Sequence, residues 1–167
     1  FIMGVSMFFS LRKYDFKLTK ASFWKLKKRA VLIFLVGFAI NFLVTLLYNG
    51  WEGMKELRIL GVLQRLALAY GFGSFIGLTI NHKYLLHTAA GILLCYAALL
   101  GFTGSTELSE GNLIAVIDRT LFGPTHMYHD YLPDGTRIAF DPEGLLSCLG
   151  SIGHVLIGFY AGKLIAD

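Results

Sequence analysis

Uncharged, apolar stretches close to twenty residues long constrain this chain more than any other feature. A hydrocarbon layer about 30 Å thick is crossed by a helix of about 20 predominantly apolar residues. Residues 30–48 form one such stretch, with Asn41 its only strongly polar side chain. Residues 59–80 form a second, interrupted by Gln64 and Arg65. Residues 84–102, carrying only the titratable His87, and 144–165, broken by His154 and Lys163, complete the set. Residues 1–11 are apolar but too short to span, have no signal-peptide pattern, and read as the tail of a helix that starts upstream. The expected fold is all-α: a polytopic transmembrane helix bundle of four full spans plus the end of a preceding one. Residues 1–167 then belong to a single transmembrane domain with a long exterior loop over 103–143. Composition agrees, since 55% hydrophobic and 16% charged residues leave a soluble domain too little polar surface to cover itself.

The net charge of +4 is not spread as a nucleic-acid surface requires. Between Arg12 and Arg29 lie eight of the fifteen basic residues against one acid, Asp15. By the positive-inside rule this loop is cytoplasmic, and Phe23, Trp24 and Leu26, interleaved with Lys25, Lys27, Lys28 and Arg29, suit a segment lying on anionic headgroups. Residues 81–83 then make a tight cytoplasmic turn, while 49–58 and 103–143 are exterior. The long segment agrees, with seven acids against Arg119 and Arg137. Cys95 and Cys148 fall inside apolar runs and read as small fillers.

Arg65 is the sharpest single signal of a site. An arginine at mid-helix costs about 2.5–3.5 kcal/mol on insertion scales, so it faces a partner or a wet cavity. If the second helix begins near Leu57, the spacing of seven sets Arg58 and Arg65 on one face. A guanidinium suits bidentate contact with carboxylate or phosphate, so a structural ion pair and ligand binding both remain open.

Two patches stand out in the exterior segment, Ile117 to Gly123 and Phe140 to Ser147. Asp141 before Pro142 fits an N-cap with proline in the first helical turn, and Glu143 is favoured there by the helix dipole. Glu143, Ser147 and His154 would then form a polar stripe down the last helix. The pairs Gly73 with Gly77 and Gly158 with Gly162 suit close helix packing, within one chain or in a homodimer. His126, His129 and Asp130 are too weak a pattern for a metal site, and none is expected. His126 can act as acid or base.

The blocks RILGVLQR over Arg58 to Arg65, IDRTLFG over Ile117 to Gly123 followed by His126, and DPEGLL over Asp141 to Leu146 resemble the heparan-α-glucosaminide N-acetyltransferase family and its bacterial relatives. The opening Phe1-Ile2-Met3-Gly4 also resembles the end of an early helix of that family, so the likeness runs along nearly the whole chain in order. Leu60 stands where the family pattern has proline. The resemblance implies transfer of acetyl from cytoplasmic acetyl-CoA, as co-substrate, to the amine of a glucosamine-like sugar on the exterior face. It also implies a catalytic histidine ahead of the FIMG block, before Phe1. Within this chain, Glu143, Asp141 and His126 are the candidates for acid–base roles, and Arg58, Gln64, Arg65, Asp118 and Arg119 for holding substrate or acetyl-CoA. The bilayer and an amino-sugar acceptor are the expected partners. The competing reading is an amino-sugar or sugar transporter whose intramembrane charges line a path; a structural scaffold leaves Arg65 without a motive.

Overall fold

The computed structural model describes residues 1–166. Six α-helices follow in order: α1 (Ile2–Arg12), α2 (Lys20–Asn49), α3 (Val62–Thr79), α4 (Leu85–Phe102), α5 (Leu113–Phe122) and α6 (Cys148–Ala166). Helix α6 is the hub, packing against α1, α3 and α4, while α2 lies along α3. Among the described residues three helices are long and apolar enough to cross a membrane, α2, α4 and α6. That is one fewer than the four full spans expected. Helix α3 has 18 residues, but Gln64 and Arg65 sit in its first turn. The chain is thus a mostly helical, integral membrane protein.

Glycine sets the packing around the hub. A Cβ on Gly4 would overlap the Val155 carbonyl oxygen, and one on Gly158 would overlap that of Phe1, so α1 and α6 touch backbone to backbone. Gly162 meets Phe8, Gly73 meets Val155 and Gly77 meets Phe159. Both glycine pairs noted in the sequence are therefore used inside the chain, and neither offers a face to a second copy. Phe159, Leu156, Met7, Leu11 and Leu85 are buried among these helices. Phe16 reaches the same core from the α1–α2 connection, edge-on to His82 at 4.6 Å.

Several boundaries differ from the sequence expectation. Helix α2 begins at Lys20, not near residue 30, because Thr19 and Ser22 form a reciprocal capping box. Most of the basic cluster therefore lies on its first turns rather than in a loop. Residues 57–61 are not helical, so Arg58 and Arg65 do not share a helix face. The backbone there is taken by other partners: Ile59 N–H donates to the His126 carbonyl at 3.1 Å, and Asn41 Nδ2 donates to the Arg58 carbonyl at 3.2 Å. Helix α6 begins at Cys148 rather than at 144, leaving Glu143 outside it. The stripe through Glu143, Ser147 and His154 is accordingly broken, and His154 points outward. The long segment is also not purely α-helical or irregular. It holds amphipathic α5 and a two-stranded antiparallel hairpin, β1 (His129–Tyr131) with β2 (Arg137–Ala139).

Candidate functional site

Arg58, Asp141 and Glu143 meet at the end of the bundle that carries α5 and the hairpin. Arg58 Nε donates to Asp141 Oδ2 at 2.9 Å and Nη2 to Oδ1 at 2.7 Å, the two parallel bonds of a guanidinium–carboxylate fork. The same Nη2 also pairs with Glu143 Oε2. The Tyr128 ring lies under the guanidinium, 5.1 Å from Arg58 Cζ, within range of cation–π attraction. Burial opposes the Arg58 charge, but hydrogen bonding and attraction from Asp141, then Glu143, outweigh it and raise its pKa.

Asp141 is 1% exposed and its carboxylate is satisfied on several sides. Besides Arg58, it accepts from Glu143 N–H at 3.0 Å and Tyr128 N–H at 3.3 Å. The expected helix N-cap is thus a cap on a tight turn, closed by Gly144 N–H donating to the Asp141 carbonyl. His126 stands beside it in a short 3₁₀ turn, Pro124–His126. Its Nδ1 is 2.9 Å from the Leu57 carbonyl. A carbonyl only accepts, so Nδ1 carries the proton and Nε2 of the neutral ring is left with its lone pair.

One turn into the bundle, Arg65 Nε donates to Ser151 Oγ at 2.6 Å, joining α3 to α6. Among the described residues Arg65 has no carboxylate within ion-pair distance. Cys148 lies within electrostatic reach of Arg65, Asp118 and Asp141, so the arginine and the acids border the same corner. Gln64 is 1% exposed and its Nε2 has no hydrogen-bond partner among the described residues. Arg119 turns away, its Nη2 donating to the Glu110 carbonyl.

Asp118, on α5, is fully buried. Its Oδ1 accepts from Leu145 N–H at 2.9 Å. Burial, opposed by that hydrogen bond and reinforced by the charge of Asp141, pushes its pKa up to about 6.

Of the residues named from sequence, Arg58, Glu143 and His126 thus gather around the buried Asp141, Gln64 and Arg65 form a neighbouring group further in, Asp118 lies beneath the turn that follows Asp141, and Arg119 stands apart. Asn41, Tyr128 and Ser151 join them in the structure. Asn41 was legible as the lone amide in an apolar run, whereas Tyr128 carried no signal apart from being aromatic.

Two curated proteins match this chain. The mouse heparan-alpha-glucosaminide N-acetyltransferase is 33% identical over 81 residues, covering 42% of this chain and 12% of its own length. The human protein of the same name is 34% identical over 71 residues, covering 40% of this chain and 10% of its own length. The resemblance read from the sequence is therefore found in the comparisons as well, at the level of a fragment. The chain spans only a small part of the relatives it matches. No family model matches.

Proposed function

We propose that this chain is part of a transmembrane N-acetyltransferase that moves acetyl from acetyl-CoA to the amine of a glucosamine-like sugar, at the face bearing Arg58, Asp141 and Glu143. The observation that carries this reading is the contrast between the two arginines of RILGVLQR. Arg58 is neutralised by two carboxylates, whereas Arg65, half-buried between α3 and α6, has among the described residues only a serine hydroxyl. Its terminal nitrogens are therefore free to meet a ligand oxygen, such as a thioester carbonyl gaining negative charge or a phosphate. Arginine spent on a structural ion pair would look like Arg58.

In this mechanism the amine lone pair attacks the thioester carbonyl carbon, the carbon–sulfur bond breaks, and CoA leaves as the thiolate. The amine proton passes to a base, for which His126 Nε2 is suited while Nδ1 stays on the Leu57 carbonyl. The thiolate takes a proton from solvent. Glu143 draws the ammonium sugar towards this face, and Gln64 sits beside Arg65 to contact the donor. The basic first turns of α2, with Lys20, Lys25, Lys27, Lys28 and Arg29, lie on the cytoplasmic side and attract the CoA phosphates. The acidic segment faces the exterior.

The test is reconstitution of the full-length protein in sealed vesicles with labelled acetyl-CoA and glucosamine. Labelled N-acetylglucosamine is the expected product, and R65A should lose it while remaining folded. Unmodified sugar accumulating inside the vesicles would establish transport instead, and full transfer by folded R65A would take Arg65 out of the site.

A further inference from the structure

The turn that presents Asp141 and Glu143 to Arg58 is closed by its own short-range bonds, from Glu143 N–H to Asp141 Oδ1 and from Gly144 N–H to the Asp141 carbonyl, but these do not fix it to the bundle. Between Asp141 and Cys148, where α6 starts, the chain makes turns only, and its one side-chain anchor to a neighbouring helix is the bond from Leu145 N–H to Asp118 Oδ1. The other carboxylate oxygen of Asp118 is buried and has no hydrogen-bond partner among the described residues. It lies directly over the Cα of Gly144, where a Cβ would overlap it. No water-sized gap separates the carboxyl from the turn, so one oxygen of an ionised Asp118 would sit against apolar backbone with nothing to solvate it.

We propose that Asp118 is the positioning residue of the site: in its neutral form it clamps the Asp141–Ser147 turn against α5, and its ionisation loosens that turn and the hold of Glu143 on Arg58. The groups facing Asp118 support the direction. From the turn comes Asp141, whose charge repels an ionised Asp118, and from the start of α6 comes the Cys148 thiol. Among the described residues no cation pairs with Asp118: Arg58 is held by Asp141 and Glu143, Arg119, next to Asp118 on α5, is turned to Glu110, and Arg65, at the same corner, is bonded to Ser151. Burial raises the Asp118 pKa from 3.8 to about 6 in the fold. A raised carboxyl pKa contributes stability that is fully present below the unfolded value and is lost as pH rises through the folded one. The clamp is therefore closed on the acid side of that window and weakened above it.

This inference rests on the proposed site only for its consequence in catalysis, and its test does not need activity. Hydrogen exchange of residues 141–147 is followed in the full-length protein, corrected for intrinsic rates, from about pH 5 to about pH 7.5. Wild-type protection should fall about tenfold as pH rises through the window. In D118N, which keeps the acceptor for Leu145 N–H and has no proton to lose, protection should be independent of pH. In D118L, which lacks the acceptor, it should be low throughout, with exchange in α6 unchanged as the control for folding. A D118N profile that falls like the wild type, or a D118L protein protected like the wild type, overturns the proposal. Absence of acetyl transfer alongside the expected exchange pattern would count against the proposed function alone.

Discussion

Arg58 and Asp141 are 83 residues apart in the chain and share two hydrogen bonds of 2.9 and 2.7 Å. This fork joins the extended segment ahead of α3 to the turn ahead of α6. It is asymmetric in exposure, the Asp141 side chain being 2% and the Arg58 side chain 25% exposed. Removing the arginine strands a buried carboxylate that keeps only its amide donors.

R58A should therefore destabilise the protein by about 2–4 kcal/mol, read by thermal or denaturant unfolding in detergent. R58K should recover less than half of the loss, since an ammonium cannot reproduce the fork. E143Q should cost under about 1 kcal/mol, because Glu143 is partly solvated. Equal losses for E143Q and D141N would contradict the ranking.

Arg65 and Ser151 separate structure from chemistry. S151A removes one hydrogen bond and should lower stability by about 1 kcal/mol with modest loss of acetyl transfer. R65A should reduce kcat/KM by about a hundredfold or more in folded protein, as loss of a group that stabilises developing charge does. A merely structural Arg65 would give the two variants parallel losses in stability and activity.

Glycine replacements should sort by contact. G158A and G4A force α1 away from α6 and should cost about 2 kcal/mol or more each. G91A, in α4 with nothing within 4 Å of the added methyl, should be neutral or stabilising by up to about 1 kcal/mol. Unfolding midpoints of the three variants in the same detergent provide the comparison.

Asn41 holds the Arg58 carbonyl, and N41L should cost about 0.5–2 kcal/mol despite making α2 more apolar. If that bond keeps residues 57–61 out of a helix, amide exchange at Ile59 should change with it. An N41L protein at least as stable as the wild type would show that the bond does not shape this segment.

The spans were legible because hydropathy is a local property: the apolar runs in 30–48, 84–102 and 144–165 each lie within or overlap α2, α4 or α6. Helix starts were less so. Thr19 and Ser22 moved the start of α2 outward, a capping box readable from two residues but masked by the lysines that follow. The spacing of seven between Arg58 and Arg65 looked like a helix face, yet Ile59 and Arg58 give their backbone groups to His126 and Asn41.

By itself the sequence determined that the chain is a bundle of apolar helices, which residues carry unusual charge, and which known proteins it resembles, because each of these depends on residue type and near neighbours. Only the tertiary structure decided which charges are paired. Whether Arg58 meets Asp141 while Arg65 meets a serine, and whether Asp118 is solvated or sealed over Gly144, depends on segments tens of residues apart arriving at one place. Coulomb and desolvation energies follow distance in space rather than separation along the chain.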